Sequence, residues 1–171
     1  GIFDANGKIL SNLIATGSIT AGASKIDELS DAKSSENSLF LGENSGKNNT
    51  GINNTAVGIN SLNGNIAGTN NSALWYYSLS TNSSGVSNVA IWSQALRSNT
   101  AGENNIALWD STLFHNSTWT NNVAIGKNAW RNNVIGVGNV FIGHQAGSDE
   151  TGSNKLYIAN SATSTPLIKG D

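Results

Sequence analysis

The chain contains no cysteine, no methionine and a single proline. Without cysteine there is no disulfide framework to staple loops together, so any fold must rest on packing and backbone pairing. Charge is also scarce. Only 12% of the residues are Asp, Glu, Lys or Arg and the net charge is −2, which excludes the basic stripe of a nucleic-acid interface. No apolar run reaches the roughly 20 residues of a membrane-spanning helix, so direct membrane insertion of this fragment is not expected. His115 and His144 have no cysteine and few acids near them. Metal binding needs a cluster of ligands, so neither a metal nor another cofactor is expected. No signal peptide is visible and the first residue is not Met, which reads as a fragment of a longer protein.

What is present is an asparagine that returns every 17 residues, at Asn54, Asn71, Asn88, Asn105, Asn122 and Asn139. Each opens a short apolar run, as in Asn88-Val89-Ala90-Ile91 and Asn122-Val123-Ala124-Ile125. With that asparagine as position zero, other columns emerge. Position +2 is Ala in five of six copies, and +8 reads Leu62, Leu79, Leu96, Leu113, Trp130, Gly147. Position +11 is Asn65, Asn82, Asn99, Asn116 and Asn133, and +14 is Gly68, Gly85, Gly102, Trp119 and Gly136. A flanking copy from Ser38 lies one residue short of the period, and another leads to Asn154 after 15.

A fixed short period means stacked, similar coils rather than a folded-back globule. Helical repeats need more than about 30 residues, so the unit is one coil of a parallel β-solenoid with roughly two or three short strands and tight turns. On the first strand, +1 and +3 share one face and +2 takes the other. The large +1 and +3 side chains are assigned to the coil's own core and the Ala column to a close contact with a neighbouring chain. The opposite assignment satisfies the same pattern. Asn columns suit left-handed turns and can bond from coil to coil as amide ladders. The ends differ: residues 2–10 read as a hairpin turning at Asn6-Gly7, and residues 25–29 as one helical turn. Residues 155–158 and 167–168 read as strands leading out of the stack.

Position +4 reads Gly58, Trp75, Trp92, Trp109, Gly126, Gly143, so three consecutive coils carry Trp on one line. Tyr76, Tyr77, Phe114, His115, Trp119 and Trp130 fall in the same region. These nine residues are the candidate ligand-binding set. The rings either bury themselves between coils or chains, or form an exposed patch that marks a binding surface. Exposure is favoured at Tyr76, Tyr77 and His115, where other coils hold polar residues. Flat rings beside plentiful Asn and Ser suit a glycan. Glu103 and Asp110 are near in sequence and could approach each other, and glycoside cleavage needs such a pair. No second acid aligns in a neighbouring coil, so no enzyme activity is expected.

The motif Asn122-Val123-Ala124-Ile125-Gly126, with Ala-Leu or Ser-Leu a few residues on, resembles the head repeats of trimeric autotransporter adhesins. Residues 138–143 through 166–171 are also similar to phage tail-fibre segments and surface fibres of predatory bacteria. The resemblance spans about residues 38–171. It implies a left-handed parallel β-roll, three chains side by side, no catalysis, and attachment at a cell surface or, alternatively, in a virion tail fibre. The chain departs from that family in its longer period and in the three tryptophans that replace motif glycines.

The expectation is therefore an all-β fold, a parallel β-solenoid (left-handed β-roll) of about 17-residue coils assembled as a homotrimer. Residues 1–35 would be an N-terminal connector, 36–153 the head, and 154–171 a C-terminal strand connector. The expected function is recognition of a target-cell surface glycan or other envelope component by the tip of a surface fibre. A passive structural fibre segment and a phage receptor-binding segment are the alternatives.

Overall fold

A computed structural model describes residues 32–35, 37–132, 135–148 and 150–170. The hairpin expected at residues 2–10 and the helical turn at 25–29 lie outside them. The described residues form an all-β solenoid with no helix. Ten strands lie in one sheet in sequence order: β1 (Ala32–Ser35), β2 (Ser38–Leu41), β3 (Thr55–Val57), β4 (Ser72–Leu74), β5 (Val89–Ile91), β6 (Ile106–Leu108), β7 (Val123–Ile125), β8 (Val140–Ile142), β9 (Leu156–Ile158) and β10 (Ile168–Gly170). β2 to β9 are parallel and in register, each pairing with the next coil, so Ala56, Ala73, Ala90, Ala107 and Ala124 stack in one line. Each coil contributes one strand of three or four residues, rather than two or three strands, and closes with turns.

The turn after each strand is built from left-handed residues at alternate positions. Position +6 (Asn44, Asn60, Tyr77, Gln94, Ser111, Asn128, Gln145) has φ between 53° and 60°, and the +8 leucines have φ of 50–52°. Asparagine and glycine tolerate this well. The leucines accept it because the turn carries them into the interior, where all four are fully or almost fully buried.

The interior corrects the face assignment made from sequence. The +2 alanines point inward and are 0% exposed, facing the buried +8 leucines. The large +1 and +3 side chains (Val89, Ile91, Leu108, Val123, Ile125) point outward and are half-buried in the single chain, with Ile106 37% exposed. A 17-residue coil is narrow, so its lumen accepts Ala opposite Leu. The first coil and the last complete coil exchange this pair for a single ring. Phe40 and Phe141 stand in the Ala column, opposite Gly46 and Gly147, where an added Cβ would lie 2.2 and 2.1 Å from the ring carbons.

Two asparagine ladders line the lumen. Each position-zero side chain accepts from the backbone N–H of its counterpart one coil on, at 2.9–3.0 Å from Asn54 to Asn139, and donates to the +14 carbonyl of its own coil. Along +11, Asn82, Asn99 and Asn116 donate to the Oδ1 of the preceding Asn at 2.7–2.8 Å. Buried polar groups are costly unless bonded, and these amides satisfy the carbonyls that the turns leave open.

The ends also correct the sequence reading. Ser38 occupies position zero in the first coil, its hydroxyl accepting from Asn54 N–H. In the last coil that place belongs to Lys155 rather than Asn154, because Lys155 N–H donates to Asn139 Oδ1. Leu156–Ile158 is thus the final parallel rung, not a strand leading out. β10 folds back antiparallel onto β9, as β1 does onto β2, so both sheet edges are covered within the chain. Beneath β9, the Tyr157 hydroxyl donates to the Glu150 carboxylate. That bond and burial raise the tyrosine above its usual pKa, with Lys169 acting in the opposite direction.

Candidate functional site

The site begins at position +4, the first residue after each strand. Here the backbone has φ of 112–131° in Gly42, Gly58, Gly126 and Gly143. Trp75, Trp92 and Trp109 occupy the same position with φ of 92°, 100° and 111°. These values lie well beyond the left-handed well near +57° that asparagine visits, in territory that side chains with a Cβ avoid. Such residues cost about 1–3 kcal/mol each and persist only where the surroundings impose them. The surroundings do so through the N–H of each Trp, which donates to the strand carbonyl of the preceding coil (Val57, Leu74, Ile91) at 2.6–2.9 Å. The Trp75 carbonyl also accepts from Ser78 Oγ at 3.0 Å.

The three indoles form a ladder. Trp75 and Trp92 have ring centroids 5.3 Å apart with planes 5° from parallel, and Trp92 and Trp109 are 5.3 Å apart at 8°. The spacing follows from strand separation. They remain 57%, 40% and 52% exposed. Because the rings lie face to face, Trp92 has both faces covered. The free faces are one on Trp75, toward Gly58, and one on Trp109, toward Gly126.

Tyr76 continues the corner from Trp75, exposed and edge-on to the half-buried Tyr77 with centroids 4.5 Å apart. Arg97 lies over the Tyr77 ring at 5.2 Å and over Phe114 at 5.6 Å, and Arg131 lies over the same Phe114 at 5.1 Å. Exposed His115 packs edge-on to Phe114. Arg97, Phe114 and Arg131 share position +9 in consecutive coils. Cation–π contacts therefore fix Tyr77, which in turn supports Tyr76. Beside these rings an apolar hollow of about 270 Å³ opens between Gly58, Ile59, Trp75 and Tyr76.

Two of the nine residues selected from sequence stand elsewhere. Trp130 is 1% exposed and fills the +8 leucine place, its ring 4.8 Å from Phe141 and its indole N–H donating to the Glu150 carbonyl. It is a core ring, and its column position already indicated this. Trp119 lies in the +14 column, at the other end of the strand from the ladder, where its carbonyl accepts from Asn105 and Asn116 as the column glycines do. Sequence reasoning missed Ile59 and Gly58, which carry no aromatic signal, and the supporting role of Arg97. Glu103 precedes β6 and Asp110 follows it, so the strand stands between the two acids. No group of three or more His, Cys, Asp or Glu residues is placed to hold a metal among the described residues. No helix among them is long and apolar enough to cross a membrane.

The chain matches no protein-family model, no curated protein and no solved structure. The class that geometry defines is thus an all-β repeat solenoid of about 17 residues per coil.

Proposed function

We propose that this chain is the head of a homotrimeric surface fibre that recognises a glycan on a target cell, using the aromatic corner of its middle coils. The observation that carries this reading is the ladder at Trp75, Trp92 and Trp109. Glycine serves the same backbone position in four other coils without strain, so three strained and exposed indoles have no folding rationale of their own. Strain and exposed aromatic surface together mark binding sites. The function is attachment rather than catalysis, and the fibre acts at a cell surface or in a virion tail. The resemblance to trimeric autotransporter adhesin heads agrees with this.

The outer columns support the trimer. Leu74, Ile91, Leu108 and Ile125 at +3, with Val89, Ile106 and Val123 at +1, make one continuous apolar sheet face that the single chain leaves partly open. Three copies meeting on it would close the symmetry and limit further growth.

The test is a glycan-array screen of the protein, with light scattering to establish three chains. The triple variant Trp75→Gly, Trp92→Gly and Trp109→Gly uses the residue native to that column in other coils and should fold. Loss of array binding in a folded triple variant supports the reading, and undiminished binding refutes it. A passive segment is the second reading, favoured by the ladder's position directly beside the apolar +3 column. If the ladder is seam packing, acrylamide will not quench its fluorescence in the assembled protein.

A further inference from the structure

The self-stacking of the ladder limits how a glycan can meet it. A sugar stacks through its apolar face on the face of an aromatic ring, and Trp92 has none free. A polysaccharide lying along the fibre axis would touch only indole edges. The free faces are those of Trp75 and Trp109. The Trp109 end is flanked by exposed Lys127 at +5. The Trp75 end is bounded by Ile59 (46% exposed) and Tyr76 (45% exposed), and the apolar hollow lies there. Gly58 holds the ladder position one coil before Trp75, so the hollow is an open rung. Its size suits one ring at indole spacing.

Building on the glycan-recognition reading above, we infer that the glycan is held end-on, with the apolar face of a single pyranose ring stacked on Trp75 over Gly58, between Ile59 and Tyr76. Trp92 and Trp109 are positioning residues that fix the Trp75 ring from behind. The occupant is a sugar rather than a purely aromatic group because the neighbouring columns are polar. Exposed Glu43 stands in the Ile59 column one coil earlier, and exposed Tyr76, which carries a hydroxyl, lines the hollow. Sugar hydroxyls would bond these groups, whereas an aromatic hydrocarbon offers them no partner. The site therefore reads a terminal or branch residue, and chain length beyond one ring adds little.

The test compares variants of the full 171-residue chain on the array, then titrates methyl hexopyranosides and methyl N-acetylhexosaminides as single-ring competitors. Ile59→Asp places a charge in the hollow and is compatible with its column, which natively holds Asp110. Lys127→Asp is the matching change at the far end. Binding should fall by about tenfold or more in Ile59→Asp, equivalent to about 1.4 kcal/mol, and stay within about threefold in Lys127→Asp. Gly58→Trp should complete a fourth rung and abolish binding. Its Cβ starts 2.7 Å from the Trp75 carbonyl carbon, so Ile59→Asp decides the matter if that variant does not fold. A methyl pyranoside should displace the arrayed glycan. Equal binding by wild type and Ile59→Asp, or tighter binding by Gly58→Trp, overturns the end-on site while leaving glycan recognition intact. Displacement by p-cresol but by no methyl glycoside overturns the sugar assignment. A wild-type chain that binds no arrayed glycan overturns the glycan reading and this site with it.

Discussion

Replacing Trp92 by alanine and, separately, by glycine isolates the backbone strain at the ladder. Both substitutions remove the same indole and the same two stacking contacts, so those losses cancel in the comparison. What differs is the fit of each residue to φ of 100°. Alanine inherits the conformational cost, about 1–3 kcal/mol. Glycine escapes it but has a freer unfolded chain, which costs about 0.4–1 kcal/mol. The glycine variant should therefore be the more stable by about 1 kcal/mol, or about 2–4 °C in Tm for a chain of this length. Thermal melting followed by circular dichroism measures this. The pair Val89→Ala and Val89→Gly is the control on the adjoining strand β5, where the order should reverse, with alanine ahead by about 0.5–1 kcal/mol. If Trp92→Ala melts at or above Trp92→Gly, the ladder is not strained and the main argument for its functional origin collapses.

Three further outcomes follow from the interior and the C-terminal rung. Asn88→Ala should destabilise the fold by on the order of 1–3 kcal/mol in urea titration, because the Asn105 N–H loses its buried partner, while the Gly102 carbonyl keeps its bond from Asn99. Phe141→Ala alone should cost about 3–5 kcal/mol. Adding Gly147→Leu rebuilds the Ala–Leu pair of the middle coils, so the double variant should melt above the single one and show a coupling energy above about 1 kcal/mol. The raised Tyr157 pKa means that the unfolded chain gives up this proton first. Its contribution to stability is whole below pH 10.0 and fades as pH rises through the higher folded value. Melting between pH 8 and pH 11 should show an alkaline fall that is weaker in Tyr157→Phe.

The solenoid was legible because its period is exposed in the sequence itself. Columns could be read without any alignment, and the asparagine at position zero does what a turn amide ladder requires. Which strand face points inward was not legible. Outer valines and isoleucines on a half-buried face are as apolar as a core, while the true lumen is so narrow that its strand residue is alanine. Size misled where width decides. The first and last coils escaped for another reason. Ser38 and Lys155 fill the asparagine place without being asparagine, and a repeat matched by residue identity shifts by one at Asn154. The strands Ala32–Ser35 and Ile168–Gly170 carry no periodic signal, because each occurs once and pairs antiparallel. Trp130 was a misreading of available information. Its column holds leucine in four coils, so its ring belonged with the core.

The ladder shows the same distinction between what a column contains and what its geometry permits. Three tryptophans in sequence suggest three stacking platforms. Rungs separated by a strand spacing instead make each ring the platform of the next, and leave only the terminal faces free. The arrangement has a consequence for affinity. A lone exposed indole loses rotamer freedom when a sugar orders it, and each immobilised side chain costs about 0.5–1.5 kcal/mol on binding. Trp75 is ordered beforehand by Trp92 behind it, by the hydrogen bond from its N–H to the Val57 carbonyl, and by a φ that few conformers share. That cost is met in folding, where the rest of the solenoid carries it. On the proposed glycan-recognition reading, strain that weakens the fold sharpens the site. The same reading accounts for indoles in consecutive coils. A single Trp at this position would bear the strain without a neighbour to hold its ring.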